Sequence, residues 1–367
     1  MEESSDRDRP KPIVEAADFH SRSIARRAYA RVGLLGNPSD GYNGKTLSFS
    51  LANFFAEVTL QSSRAVAIKP CAGDFVAEFA SLRDLAEQSK EQRPEHADGG
   101  VCLLVSLCAC LHDYCQLHGI DLPPHAAFTL SYSTNIPRQV GLSGSSAIIA
   151  AALSCLLHHF HLHHSIPVAV RPNLILEAES RLGIAAGLQD RVIQTYGGLV
   201  FMDFNRAHLD AHGYGIYEPM DPALLPPLHV IFAANPSDSG QVHSSVRQRW
   251  RDGDVAVRQA MADVAALVEE GRDALVAQDW GKLARLMDRN FDLRRQMFGD
   301  EVLGEVNLAM VQTARAVGAA AKFTGSGGAV VAFCPEGEQQ RARLVEAWRE
   351  TGFCVVDAQV AAAEELE

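Results

Sequence analysis

The chain has 367 residues, 47% of them hydrophobic and 21% charged, and its formal net charge is −12. This length fits two domains that share an interface better than one domain. The acidic balance argues against nucleic acid or an anionic membrane as the main partner, whereas small anionic ligands respond to local charge and stay possible. The eight cysteines include no Cys-x-x-Cys pair, which favours buried thiols in a reducing, cytoplasmic compartment.

The first part of the chain alternates strand and helix patterns. Residues 1–27 are charged and hold no long apolar segment, so we expect a disordered tail rather than a secretory signal. Alternating apolar residues predict strands, and apolar residues at helical spacing predict helices. The strands are expected at Ala30–Leu35, Thr46–Leu60, Phe128–Tyr132 and Leu199–Phe204, and the helices at Val101–Leu117, Ala147–His159 and Asn173–Leu182.

A cluster of prolines, Pro219, Pro222, Pro226 and Pro227, predicts a domain boundary. It divides the chain into an N-terminal domain, 28–218, and a C-terminal domain, 219–367. Beyond it, helices are expected at Val255–Ala277, Lys282–Met297 and Glu305–Ala320, followed by a Gly-rich turn at Gly325–Gly328 and strands at Ala329–Phe333 and Phe353–Val356. The predicted class is α+β in both halves.

The segment Asn135–Ala147 reads N-I-P-R-Q-V-G-L-S-G-S-S-A and stands between a predicted strand and a predicted helix. Gly141 and Gly144 let the backbone bend so that several N–H groups converge, and the helix start adds its positive dipole end. Three serines supply hydroxyl groups. The pattern indicates an anion-binding loop; the alternative is a Ser/Gly helix cap that binds nothing.

Two other glycine motifs fail on inspection. Gly44-Lys45-Thr46 ends like a Walker A loop, but Ser39 stands where the first glycine of that loop is required. Gly325–Gly328 lacks the third glycine of a dinucleotide fingerprint, because Val330 occupies that position.

The loop Pro137–Ala147 resembles the second motif of the GHMP kinases (galactokinase, homoserine, mevalonate and phosphomevalonate kinases). Two further segments resemble the first and third motifs of that family in the same order: Ala30–Gly36 and Lys322–Gly328. The resemblance implies a two-domain α+β fold, with an N-terminal α/β domain like that of ribosomal protein S5 and a ferredoxin-like C-terminal domain. It also implies ATP and Mg²⁺ as cofactors, with ATP at Pro137, Arg138, Gln139, Val140, Gly141, Leu142, Ser143, Gly144, Ser145, Ser146 and Ala147.

The same resemblance implies the catalytic residues. Asp190 would accept or direct the proton of the substrate hydroxyl, and Arg31 would lie beside it. Glu179 and a serine of the loop would hold Mg²⁺. The extra Gly144 leaves Ser145 and Ser146 as alternatives, and Ser146 is favoured because it directly precedes the alanine. Without this resemblance, the ordinary interpretation of Asp190 and Glu179 is that they are solvated carboxylates, and that of Arg31 is a surface arginine.

Within the family, longer strings resemble the plant glucuronokinases: Asn135–Ile148, Gly187–Phe204, Asn235–Trp250 and Asn290–Glu301. The implied activity is ATP-dependent phosphorylation of D-glucuronate at O1 to give the 1-phosphate, which would feed UDP-glucuronate synthesis. A kinase acting at C1 of another sugar (galacturonate, arabinose or a heptose) and a sugar sensor without turnover are the alternatives. Galactose is disfavoured, because Asn37-Pro38 replaces the Glu-His of galactokinases.

A uronic acid needs a cation for its carboxylate, and arginine can bind it through two hydrogen bonds. The candidates are Arg138, Arg247, Arg249, Arg294 and Arg295, with Gln139 and Ser239 as weaker ones. We predict a substrate site of Asp40, Arg247, Arg294, Gly325 and Ser326. The resemblance of Asp40 to a first-motif carboxylate of galactokinases implies that it accepts sugar hydroxyls. The five histidines between His158 and His164 are predicted to be a solvated helix end rather than a metal site.

Overall fold

The computed structural model of the protein describes residues 23–91, 98–123, 126–184, 186–233 and 244–364. Its strands are β1 Ser23–Leu35, β2 Lys45–Ser62, β3 Val66–Pro70, β4 Ala77–Phe79, β5 Phe128–Thr134, β6 Leu199–Asp203, β7 Ile216–Met220, β8 Leu228–Phe232, β9 Ala320–Phe323, β10 Ala329–Phe333 and β11 Cys354–Asp357. Its α-helices are α1 Leu82–Glu91, α2 Gly99–Leu117, α3 Gly144–His159, α4 Arg171–Ser180, α5 Gln189–Tyr196, α6 Arg206–His212, α7 Ser244–Arg251, α8 Val255–Ala277, α9 Trp280–Phe298, α10 Asp300–Leu303, α11 Glu305–Ala316 and α12 Glu338–Arg349. Single 3₁₀ turns lie at Ser39–Tyr42, Val168–Val170 and Pro222–Leu224.

The N-terminal half forms a seven-stranded sheet in the order β4-β3-β5-β2-β6-β7, with β1 paired to β2. Only β3 and β5 run parallel. The long β2 is the centre of this sheet, because its first residues pair with β6 and its last residues with β5. Helices α2, α3 and α5 pack on it, and α4 packs against these three helices, so the ends of β5 and α4 and the start of α5 are brought together.

The C-terminal half forms a four-stranded antiparallel sheet in the order β11-β8-β10-β9. Its chain order is strand, helices, strand, strand, helix, strand, which is the ferredoxin-like arrangement. The predicted ferredoxin-like domain is therefore confirmed. Helix α8 also contacts β1 and β2, and α9 contacts β1. Most buried apolar side chains of both halves form one continuous core, and six residues of α5, β6 and the position after β6 form a second, smaller cluster.

The apolar helix α2 runs through the N-terminal half. By length and composition it is the one helix of the described residues that could cross a membrane. In this structure it packs against α1, α3, α4 and β3 and most of it is buried. The prediction of a buried helix at Val101–Leu117 is thus correct.

Three predicted boundaries are wrong. Residues 23–27, predicted to be part of the tail, belong to β1, because they pair with residues 57–61 of β2. Pro219 lies inside β7, opposite Val200, so the first sheet continues past the predicted domain boundary and the second begins at Leu228. The helix expected at Glu305–Ala320 ends at Ala316, since Gly318 has a φ of 78° and starts the turn into β9.

The chain end returns from the second sheet to the first. After β11, Val360 forms a bridge with Leu51 and Ala363 forms one with Gly197. The Glu364 amide donates to the Tyr196 carbonyl at 2.9 Å. This C-terminal segment therefore ties the last strand of the protein to the helix that carries Asp190.

Candidate active site

The predicted anion-binding loop joins β5 to α3, as expected, and the helix begins at Gly144. Ser143 precedes it with φ 61° and ψ 50°, and its side chain does not cap the helix. Val140 and Leu142 are buried and anchor the loop, whereas Arg138 and Gln139 are exposed at its rim. The first N–H groups of a helix have no carbonyl partner within it, so this helix start can receive an anion.

The third motif lies directly against this loop. A Cβ added to Gly141, whose φ is 68°, would come within 2.2 Å of the Gly327 carbonyl oxygen. A Cβ added to Gly325 would come within 2.5 Å of an Arg31 nitrogen. The three motifs therefore meet at one point, and glycine is required where two loops approach each other backbone to backbone.

Arg31 joins the three motifs through its guanidinium group. Its Nε donates to Oδ1 of Asp190 at 2.5 Å and one Nη to Oδ2 at 3.0 Å. The other Nη donates to the carbonyls of Gly141, at 2.7 Å, and Thr324, at 3.2 Å. Ser143 donates its hydroxyl to Oδ2 of Asp190. The structure thus places both predicted catalytic residues together, beside the loop.

The environment of Asp190 keeps its carboxylate ionised. Burial alone would raise its pKa, but the charges of Arg31 and Arg191 and the hydrogen bonds from Arg31 and Ser143 outweigh burial and lower the pKa to about 2. Its position in the first turn of α5 also favours a negative charge. Asp190 is consequently a hydrogen-bond acceptor at neutral pH and a weak base.

Glu179 lies in the last turn of α4 and is fully buried. Its Oε1 accepts hydrogen bonds from the hydroxyls of Ser145, at 2.7 Å, and Ser146, at 3.2 Å. Its Oε2 pairs with Arg191, whose Nε lies at 2.7 Å and whose Nη is also bonded to it. Ser145 is the more open of the two serines, since Ser146 is 1% exposed.

A carboxylate and two hydroxyls at the start of α3 fit Mg²⁺, which takes oxygen ligands and usually only one or two of them from protein carboxylates. In the described parts of the chain, no group of three or more His, Cys, Asp or Glu side chains is placed to hold a metal ion. Any ion at Glu179 would therefore complete its coordination with phosphate oxygens and water.

A cavity of about 180 Å³ opens beside Asp190. Its walls are Arg31, Asn37, Pro38, Asp40, Gly41, Tyr42, Ala186, Gly187, Gln189, Asp190, Arg247, Gly325 and Ser326. It contains both predicted catalytic residues and four of the five predicted substrate residues. A larger cavity of about 1180 Å³ lies beside the start of β3 and the end of α2, and none of the described residues that line it belongs to the three motifs.

Two charged side chains give the small cavity its chemistry. Burial, together with the charge of Asp190, raises the pKa of Asp40 to about 6, although the Gln189 amide donates to its Oδ2 at 3.3 Å. Arg247 is hydrogen-bonded to the Tyr42 hydroxyl, and among the described residues no carboxylate lies within ion-pair distance of it. Asp40 and Arg247 can therefore receive a hydroxyl and an anionic group.

The other predicted arginines do not line this cavity. Arg294 is 2% exposed and donates to the carbonyls of Gly325, at 2.8 Å, and Ser326, at 2.9 Å, so it supports the loop instead of pointing at a ligand. Arg249 pairs with Asp254, and Arg295 pairs with Asp300. Arg138 is on the rim of the phosphate loop, and Ser239 lies outside the described residues.

Sequence reasoning missed three side chains of the site. Arg191 is the partner of Glu179 and Asp190, and Tyr42 is the partner of Arg247. Lys322 is fully buried and donates to the Gly33 carbonyl and the Asn37 side chain, fixing the turn that carries Asp40. Its place as the first residue of the third motif was the one available signal.

Two protein-family models match this chain, one in each half. Residues 104–198 match the model of the GHMP kinases N terminal domain, and residues 272–353 match that of the GHMP kinases C terminal. The first match contains the phosphate loop, Glu179 and Asp190. The second contains Arg294 and the third motif.

The chain is similar to Glucuronokinase 1 of Arabidopsis thaliana, at 53% identity over 96% of either chain. It is 55% identical to Probable glucuronokinase 2 of the same plant, over 94% of this chain and 93% of that one. Its fold resembles the galactokinase of Lactococcus lactis crystallised with galactose, with a TM-score of 0.71 at 16% identity over 94% and 95% of the two chains. The protein belongs to the GHMP kinases, as its motifs predicted, and its nearly full-length relatives include two plant glucuronokinases.

Proposed function

We propose that this protein transfers the γ-phosphoryl group of ATP to O1 of D-glucuronate. The observation that carries the proposal is the cavity that joins Asp190 to Arg247, since it offers a site for a hydroxyl at one end and a cation for a carboxylate at the other. Identity above 50% to two proteins named glucuronokinases supports the same substrate.

The triphosphate would lie against residues 137–147, where the first amides of α3 and the helix dipole favour an anion. Mg²⁺, when bound at Glu179 and Ser146, would neutralise charge on the phosphate oxygens. Ser145 is the alternative ligand, because its hydroxyl is more open and closer to Glu179.

Asp190 would accept a hydrogen bond from the anomeric hydroxyl and orient it toward the phosphate loop. Its pKa of about 2 makes it a poor proton acceptor early in the reaction. Phosphoryl transfer through a loose transition state needs orientation and charge stabilisation more than early deprotonation. Arg31 holds this carboxylate in place and stands beside the developing charge.

Arg247 would bind the sugar carboxylate, and Asp40 would accept hydrogen bonds from ring hydroxyls. Arg294 would position the Gly325–Ser326 wall without touching the sugar. A neutral sugar such as glucose would leave Arg247 without its anionic partner, so it should be a poor substrate.

The experiment is steady-state kinetics of Arg247→Gln with glucuronate and with glucose. The variant should raise the KM for glucuronate about 10- to 100-fold, the usual range for a charge-assisted hydrogen bond to a carboxylate. The kcat/KM for glucose should stay within about twofold, because glucose makes no ionic contact with this side chain.

Arg249→Gln is the matched control, since it removes an arginine from the same helix that is already paired with Asp254. It should leave the KM and the kcat/KM unchanged for both glucuronate and glucose. Equal losses for glucuronate and glucose in Arg247→Gln, or a higher kcat/KM for galacturonate or arabinose in the wild-type enzyme, would refute the assignment of substrate.

A further inference from the structure

A second cavity lies behind the phosphate loop and shares none of its described lining residues with the substrate cavity. It measures about 470 Å³ and is enclosed by β1, the C-terminal half of α3, α4, α5 and residues 362–364. We call it the rear cavity. Its volume is within the range of small-molecule sites, which is about 300–1,000 Å³.

The walls of the rear cavity carry an excess of positive charge. Arg26, Arg27 and Arg171 line it together with His158 and His163, and Glu364 is the one carboxylate among the described residues that line it. Such a balance in an enclosed space attracts anions and concentrates them. Leu153, Leu157 and Ile175 form an apolar wall beside these groups.

The three arginines differ in the ion pairs and hydrogen bonds that each guanidinium group already forms. Arg27 pairs with Glu57 at 2.6 Å and lies over the Phe55 ring. Arg171 is buried and donates to the carbonyls of Ile166 and His163. Arg26 contacts Nδ1 of His158 at 3.5 Å, and within the described part of the chain it forms no ion pair. Arg26 and His158 therefore present the most available donors.

The chain supplies a carboxylate of its own at the mouth of this cavity. Glu364 is held there because its amide donates to the Tyr196 carbonyl and Ala363 forms a bridge with Gly197. Burial raises the pKa of the Glu364 carboxylate, and the positive charge of Arg26, which lies too far away for an ion pair, partly offsets that rise. A stronger anion entering the cavity would compete with Glu364 for Arg26.

We propose that the rear cavity binds a phosphate monoester, with the phosphate at Arg26 and His158 and the organic part against the apolar wall. Arginine favours phosphate over a carboxylate of single charge, because the phosphate carries more charge and offers more acceptor oxygens. Inorganic phosphate shares this chemistry and is the smaller alternative. The inference does not depend on which sugar the enzyme phosphorylates.

The rear cavity is connected to the active site through Gln194. This side chain lines the cavity, and its amide donates to the Ser143 carbonyl at 2.9 Å and the Tyr29 carbonyl at 3.2 Å. Ser143 in turn donates to Asp190. A ligand that draws the Gln194 amide away would release Ser143, which helps to hold the Asp190 carboxylate. Binding of a ligand in the rear cavity should therefore lower kcat.

The test is calorimetric titration of the full chain with glucose 6-phosphate and, separately, inorganic phosphate. Both titrations are run with Mg²⁺ and a saturating non-hydrolysable ATP analogue, which keeps the phosphate loop occupied. Arg26→Gln should weaken the binding of glucose 6-phosphate about tenfold or more, as expected for one lost charge-assisted contact. Glu364→Gln should tighten it several-fold, because the competing carboxylate is gone.

Arg27→Gln is the matched control, since that arginine is already paired, and it should change binding by less than about twofold. Tighter binding of inorganic phosphate than of glucose 6-phosphate, with the same response to both variants, would support the site and assign it the smaller ligand. The proposal is overturned if neither probe responds to Arg26→Gln or to Glu364→Gln. That result would leave the assignment of glucuronate intact, because the latter is tested at Arg247.

Discussion

The two sides of the active-site cleft are built differently. On the phosphate side, Asp190 and Glu179 are each bonded to a guanidinium group and to at least one serine hydroxyl. On the sugar side, the donors to Asp40 among the described residues are backbone amides and its pKa is raised, and Arg247 is bonded to the neutral Tyr42 hydroxyl. The carboxylates of the phosphate side are therefore paired before a ligand binds, whereas Asp40 and Arg247 on the sugar side can still form hydrogen bonds to a ligand.

This difference separates catalysis from specificity. Groups that are fixed by their neighbours before substrate arrives can stabilise a transition state without reorganisation. Groups that lack an ionic partner gain most from the correct ligand and lose most from the wrong one. Substitutions on the phosphate side should therefore change kcat, and those on the sugar side should change KM.

The largest effect is expected for Asp190→Asn. Its kcat should fall by roughly 10²–10⁴, the range for a positioned acid or base, while the KM for ATP stays within about threefold, because the loop amides hold the triphosphate. An ADP-release assay measures both. Asp210→Asn, at an exposed ion pair with Arg206, is the control and should be fully active. A nearly fully active Asp190→Asn enzyme would make this carboxylate purely structural.

Arg31→Met tests whether Arg31 and Asp190 work as one unit. We expect kcat to fall by about 10² or more, because Asp190 loses the two hydrogen bonds from Arg31 and the three motifs lose their common contact. The double variant should lose less than the product of the single losses. Strictly multiplicative losses in the same assay would show that the two side chains act independently.

Glu179→Gln should raise the Mg²⁺ concentration needed for half-maximal rate by about tenfold or more, since even the loss of a group that only orients a metal ligand costs about 10- to 100-fold in affinity. The KM for sugar should be unchanged. The substitution should also lower the Tm, because the buried Arg191 loses the closer of its two carboxylate partners and keeps the longer contact with Asp190. A magnesium titration of the rate and a thermal melt measure the two effects separately.

The second variant of this pair is Glu179→Gln with Arg191→Met. It should recover part of the Tm and keep the high Mg²⁺ requirement. Recovery of both properties together would mean that Glu179 supports the fold only and does not contact the metal.

Asp40→Asn should have the smallest effect and should act on the sugar side alone. The KM for glucuronate should rise about tenfold, as expected for one hydrogen bond to a charged acceptor, with kcat nearly constant. The folded-state pKa of about 6 exceeds the ordinary pKa of 3.8 for this side chain, so the folded protein binds this proton more tightly than the unfolded chain does. Ionising Asp40 therefore reduces stability as the pH rises from about 4 to about 6.

The variant lacks this ionisation and should melt roughly 1–3 °C above wild type at pH 7.5. At pH 4, where Asp40 is protonated in the folded protein, the two melting temperatures should converge. A variant that melts lower than wild type at pH 7.5 would show that ionised Asp40 is stabilised by its neighbours. Thermal melts at the two pH values decide this.

The sequence predicts the two sides of the cleft unequally, and the reason is physical. The phosphate loop is contiguous, so its glycines, serines and helix start can be read together, and the family resemblance adds Asp190, Glu179 and Arg31. The sugar side is assembled from the turn after β1, the start of α5, α7 and the third motif. Which of several arginines reaches the cavity depends on the rotation of α7 and α9, which no local pattern encodes.

The errors in the predicted elements have similar causes. The polar and basic residues of the first half of β1 do not predict a strand, because this half is largely exposed where it pairs with the end of β2. Tyr42 is marked by no motif and Arg191 only by its place after Asp190, and the folded chain shows that each touches a charged group of the site.

The contact of Gly141 with Gly327 has a consequence for inheritance. Because these glycines belong to different domains and meet backbone to backbone, with Arg31 bonded to carbonyls on both sides of the contact, neither domain carries a usable half of the active site. A gene split at the connection between β7 and β8 would encode two separate proteins. These would have to associate before an active site could form. Recombination that exchanges one domain for that of a distant relative would have to rebuild a contact in which a Cβ on Gly141 has no room. The two domains are therefore expected to have been passed on as a pair.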